Sequence, residues 1–206
     1  MKMEEMISHV NIYGFDESIR GSKFPMATDL DKLTTDFAKS TVRLATSGLG
    51  EGHDNFLNGI IVQFDLTFSN KAWVELQRYH FIDFVSSQST MHRITRFDLD
   101  KAYNEYVDPR VIEIMKEKVA AYRELEKSAK EAPSKEKDEE LKKRYLEILY
   151  SNPAGFRLTA RMTTNYRQLK TIYAQRKTHR LPEWRMFCAW CETLPHSEFI
   201  TGKTEE

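Results

Sequence analysis

The sequence predicts an α+β protein, with mixed helices around a small antiparallel sheet. Two stretches alternate apolar and polar residues as half-buried strands do, and several others carry apolar residues at helical spacing. The two kinds do not follow one another in the βαβ rhythm of a doubly wound sheet. At 206 residues and 40% hydrophobic content, the chain suits one well-packed domain over 1–206.

The elements follow in order. Residues 1–25 mix Gly, Ser and charges without periodicity and read as an irregular segment. Thr28 and Asp29 precede Leu30, Leu33, Phe37, Val42 and Leu44, whose spacing predicts a first helix. It should stop near Gly48, where three glycines fall close together. Val62, Phe64, Leu66 and Phe68 then alternate with Gln63, Asp65 and Thr67, the clearest strand in the chain. Asn70 can cap a helix through 71–81, and DFVSSQST after it is extended or turning, since Ser and Thr side chains compete for backbone hydrogen bonds.

Pro109 suits the first turn of a long helix with a Val111, Ile114, Val119, Tyr122 and Leu125 stripe. Residues 128–139 form a charged, Pro-containing connection, after which LKKRYLEILY resumes a helix that SNPAG stops. Phe156, Leu158, Ala160 and Met162 mark a second strand. One helix follows from about Asn165, another begins at Pro182, and 197–206 is a tail.

Composition narrows function by exclusion. Lys plus Arg and Asp plus Glu both number 31, so no overall basic field exists to hold nucleic acid or a membrane surface, and any phosphate site must be local. The first residues lack an apolar signal core, and no run approaches the ~20 apolar residues of a membrane span, which points to a cytoplasmic protein. Two cysteines cannot build a disulfide framework.

Two groups could carry chemistry. Between Trp73 and Arg93 the chain gathers Glu75, Arg78, His80, Ser86, Ser87, Ser89, His92 and Arg93, donors suited to phosphate or carboxylate; the same residues also read as a solvated helix face and a Ser-rich turn. Asn165, Arg167 and Arg176 form the second group, which equally reads as a capped, charged helix.

Taken in order, these groups resemble the flavin-dependent thymidylate synthases. The family signature runs Arg-His-Arg, a short spacer, then a Ser/Asn-Glu-x-Ser-x-Arg-Tyr loop. Here ELQRYHFIDFVSSQSTMHR places Arg78 at the first Arg, Tyr79 at the His and His80 at the second Arg. Upstream, GHDNFLNGIIVQFDLTF is similar to the family's Gly-His-Glu-Thr-Pro-Phe-Glu-His segment and first long strand, with His53 kept and Asn55 and Asn58 at polar positions. Downstream, Pro153, the second strand, Asn165, Arg167, Leu169 and Arg176 follow the family's Asn-x-Arg-x-Leu motif, and LPEWRMFCAW is similar to its later helix.

The resemblance implies an FAD site using His53, Asn55, Arg78, Tyr79, His80, Asn165 and Arg167. It implies a dUMP-like pyrimidine nucleotide site using Glu75, Arg78, Ser86, Ser87, Gln88, Ser89 and Arg176, with Ser89 and Arg176 catalytic. NADPH and methylenetetrahydrofolate would be co-substrates in conversion of dUMP to dTMP, within a homotetramer, and no metal is implied. His80 for Arg removes a permanently charged fork, Ser86 or Ser87 stands where an acid is usual, and Met91 with His92 replaces the closing Arg-Tyr. A degenerate, non-catalytic nucleotide- or flavin-binding relative is the alternative.

The remaining conspicuous residues read as structural. Cys188 and Cys191, three apart on a helix, are two buried small hydrophobes rather than a redox or zinc motif. His179 and His196 read as surface or capping histidines, and Trp184 and Trp190 as core or interface.

Overall fold

The computed structural model describes residues 1–48 and 50–203. A first turn α1 (Met3–Met6) leads into β1 (Ile7–Tyr13), α2 (Phe15–Gly21), α3 (Lys39–Ala45), β2 (Ile61–Ser69), α4 (Asn70–Leu76) and β3 (Asp83–Ser87). Then come α5 (Thr90–Arg93), the long α6 (Pro109–Glu131) and α7 (Lys135–Ser151), β4 (Arg157–Asn165), α8 (Tyr166–Arg176), α9 (Pro182–Cys191) and α10 (Glu198–Thr201). The antiparallel sheet has the order β1-β2-β4-β3. Among the described residues no helix is long and apolar enough to cross a membrane.

The alternation read in the two main strands is the alternation of burial. Val62, Phe64, Leu66 and Phe68 are fully buried, each stabilising by roughly 1.5–3 kcal/mol, while Gln63, Asp65 and Thr67 keep partial access to water. In β4, Ala160, Met162 and Thr164 are buried in the same rhythm.

The contacts group the chain into two compact units. The first comprises Met1–Leu66, Leu76–Ser86 and Ala160–Glu206, and the second Thr67–Glu75 and Ser87–Thr159. The core of the second is Ile94, Leu99, Tyr103, Met115, Val119, Ile148 and Phe156, under α6 and α7. Both helices start as their sequences demand: the Asp108 carboxylate accepts from Arg110 N before Pro109 can matter as a lost donor, and the Ser134 hydroxyl accepts from Lys137 N. Arg123 fastens α6 to the chain before it by two bonds to the Thr95 carbonyl, at 2.9 and 2.6 Å.

Several expectations are corrected. Residues 1–25 are not irregular, since they hold α1, β1 and α2. The strand was hidden because β1 bulges between Ser8 and Asn11, with His9 at φ 50°, and a bulge breaks the two-residue period. The helix expected from residue 29 is a 3-10 turn at Leu30–Lys32 and then α3 alone. The intervening backbone is drawn elsewhere, because Lys23 Nζ donates to the carbonyls of Thr34 and Asp36, and Phe37 stacks on His196 with ring centres 3.9 Å apart. The helix after Asn70 ends at Leu76 rather than running to residue 81. The connection read over 128–139 shrinks to 132–134, and the tail read over 197–206 contains α10, with Phe199 and Ile200 buried. Residues 204–206 of that tail lie outside the described residues.

Within the first unit, two glycines let chain segments meet. A Cβ on Gly14, at φ 70°, would lie 2.5 Å from the Gly59 carbonyl oxygen, and one on Gly59 would lie 2.3 Å from Ser18 Oγ.

Candidate functional site

The chemistry of the first unit centres on α8. Asn165 starts this helix, its side-chain oxygen accepting from Gln168 N at 3.0 Å, so the cap read in the sequence is present. Tyr166, Leu169, Ile172 and Tyr173 face the core and fix the helix rotation. That rotation leaves Arg167, Gln168, Thr171 and Gln175 to line a recess of about 480 Å³, completed by Asn58 and Phe81 among others.

Arg167 is held from beneath. Its Nε donates to Asp54 Oδ1 at 3.1 Å, and Lys170 Nζ donates to Asp54 Oδ2 at 2.8 Å. Asp54 is 1% exposed and Lys170 7%, so the carboxylate has left water and needs both cations. Neither residue was singled out in the sequence. Asp54 carries no periodic tag, but Lys170 does: it falls on the apolar stripe Tyr166, Leu169, Tyr173, where a lysine calls for a buried partner.

Arg176, in the last turn of α8, is held differently. Its Nε donates to the Tyr79 hydroxyl at 2.6 Å, and that hydroxyl donates to Gln175 Oε1 at 2.8 Å. The guanidinium carbon lies 5.0 Å from the Tyr79 ring centre and 4.9 Å from that of Trp184, a cation between two π faces. The structure thus brings Tyr79, which the resemblance aligns with the family's His, to Arg176 of the second sequence group. Arg78 and His80, on either side of Tyr79, are exposed, and Arg78 makes no hydrogen bond or ion pair among the described residues.

His53 and Asn55 belong to another cavity. They line a cleft of about 560 Å³ with Lys23, Arg43, Met26 and Phe56 among its walls. The intervening Asp54 lines the recess instead. The expected flavin set is therefore divided, with His53 and Asn55 on one cavity and Arg167 on the other. Lys23 spends its ammonium on Thr34 and Asp36, which leaves Arg43 as the exposed cation of the cleft.

The other expected residues sit in simpler settings. Ser86 and Ser87 close β3, a strand exposed along its whole length. In the second unit, Glu75 pairs with Lys71 at 3.1 Å across one turn of α4. Gln88 is anchored to β4: its N–H donates to the Thr159 carbonyl and its side-chain oxygen accepts from Thr159 N, both at 2.9 Å. Ser89 precedes α5 without capping it through its side chain.

The residues read as structural in the sequence are so placed. Cys188 and Cys191 are buried free thiols; burial pushes Cys188 up to about 12 and Cys191 well above its ordinary value. Trp184 is fully buried and Trp190 nearly so. His179 Nδ1 accepts from Leu181 N just before α9, a capping contact.

No family model matches the sequence, and no curated protein matches it. Solved structures do. The flavin-dependent thymidylate synthase ThyX of Helicobacter pylori, complexed with FAD and dUMP, superposes with a TM-score of 0.64 at 15% identity, covering 95% of this chain and 99% of that one. A second structure of that protein with FAD and dUMP gives a TM-score of 0.64 at 16% identity, covering 95% and 98%. The fold is that of a flavin-dependent thymidylate synthase.

The recess offers a guanidinium, three amides and a hydroxyl, and the cleft has a second guanidinium, an imidazole and apolar walls.

Proposed function

We propose that this chain is a flavin-dependent methyltransferase that converts dUMP to dTMP, with methylenetetrahydrofolate as carbon donor and NADPH as reductant. The observation that carries this reading is the junction of Tyr79 with Arg176, since it joins a residue that the resemblance assigns to the flavin to one that it assigns to the nucleotide. The full-length likeness in fold to a protein crystallised with FAD and dUMP supports it.

On this reading FAD supplies the hydride that completes the methyl group. The protein binds, orients and polarises. Arg167 presents a planar fork to phosphoryl oxygens, with Arg78, Tyr79, His80 and Asn165 around the same cofactor. His53 and Asn55 hold the part of the ligand that enters the cleft. Arg176, stiffened between two rings, and Ser86 address the nucleotide from the first unit, and the resemblance also assigns it Glu75, Ser87, Gln88 and Ser89. Subunits of a homotetramer complete the site.

The test is direct. The purified protein should carry flavin absorption, oxidise NADPH only when dUMP is present, and yield dTMP when methylenetetrahydrofolate is added. A second reading, a non-catalytic flavin- or nucleotide-binding relative, is favoured by Gln88, whose side-chain oxygen is fastened to β4. Flavin or dUMP raising the melting temperature without turnover would select it.

A further inference from the structure

The buried charges beneath the recess do not cancel. Asp54 is the carboxylate of the cluster, and two cations, Arg167 and Lys170, are bonded to it. One positive charge is left over, and its location can be read from the bonds. Lys170 Nζ donates to the carbonyls of Ala45 and Ser47 at 2.8 and 2.6 Å as well as to Asp54, so its three N–H groups are all used. Its ammonium also closes the C-terminal end of α3, where helix carbonyls lack partners of their own.

The unspent charge is therefore on Arg167. Only Nε of that side chain is bonded, and its Nη atoms donate no hydrogen bond among the described residues. The side chain keeps 35% of its exposure, on the wall of the recess. Around it stand neutral donors, Gln168, Thr171, Asn58 and Gln175. A charged fork ringed by neutral N–H and O–H groups suits a tetrahedral oxyanion, which accepts from more directions than a carboxylate does.

We infer that Asp54 and Lys170 are positioning residues that clamp Arg167 by its Nε, so that its terminal Nη pair forms a seat for one phosphoryl group in the recess. This deepens the functional reading above and rests on it only for the identity of the ligand. The clamp works through orientation. Removing the carboxylate adds net positive charge to the site and yet should weaken binding.

Calorimetric titration of inorganic pyrophosphate, dUMP and FAD into the wild-type protein, Asp54→Asn and Arg167→Lys tests this. The expected result is about a tenfold or larger rise in Kd for pyrophosphate in both variants. Equal or tighter binding by Asp54→Asn overturns the inference, because simple attraction by charge would gain from losing the carboxylate. A lowered melting temperature with unchanged Kd overturns it too, as a purely structural role. If Asp54→Asn does not fold, Asp54→Glu decides, since it keeps the charge and the guanidinium fork but displaces the carboxylate that holds Nε, and an unchanged Kd there overturns the inference. Pyrophosphate bound by the wild type with neither FAD nor dUMP bound overturns the functional reading and leaves the clamp standing. FAD or dUMP bound alike by all three proteins overturns the clamp and leaves the function. A wild type that takes up none of the three overturns both.

Discussion

Arg167 and Arg176 stand at opposite ends of α8 and are held by opposite means. Arg167 is fixed by a carboxylate taken out of water, while the contacts of Arg176 include a phenol oxygen and two aromatic faces. The first arrangement is an all-or-none construction, because each buried charge needs the others. The second is graded, because each ring and the hydroxyl contribute separately. The same helix thus carries one arginine whose loss of support should be catastrophic and one whose support can be trimmed in steps.

Lys170→Met should break the first arrangement and cost about 3–5 kcal/mol, since it strips Asp54 of one partner and leaves the Ala45 and Ser47 carbonyls without theirs. Urea unfolding measures it, and a loss under 1 kcal/mol would refute the all-or-none view. Tyr79→Phe keeps a ring and removes the hydroxyl between Arg176 and Gln175. About 0.5–1.5 kcal/mol should be lost, and nucleotide affinity should fall by several-fold rather than vanish. Equal losses from the two substitutions would erase the contrast between the arginines.

The smallest effect concerns α9, which carries Trp184 and both thiols. Their raised pKa values keep them as neutral thiols through neutral pH, and the thiolate is the reactive form. A disulfide reagent at pH 8 should therefore label neither cysteine in the native protein and both after denaturation. Rapid labelling of the native protein would mean that water reaches the helix behind Trp184, and that the ring-held arginine lacks a dry backing.

How much of this was legible follows from the kind of signal each part leaves. β2 and β4 announce themselves because every second residue enters the core, and α8 because Asn165 caps it. β1 was lost to a single bulge, and the helix expected from residue 29 to bonds made by Lys23. Among candidate site residues, Arg167 and Arg176 were singled out by the order of motifs that the resemblance supplies, while the local pattern reads equally as a capped, charged helix. Asp54 escaped, since its meaning depends on Lys170, 116 positions away, and no local period encodes such a pair. The division of His53 and Asn55 from Arg167 escaped for a related reason: adjacent residues in a turn can serve different cavities, and only the path of the backbone says which.

The contact at Gly14 and Gly59 bears on more than local strain. Lys23 and neighbouring residues just beyond α2 line one wall of the cleft, and His53 and Asn55, just before Gly59, line another. The distance between those walls is gauged where the chain has no side chain at all, so a methyl group added at either position should widen the cavity and detune its grip without altering one residue that faces it.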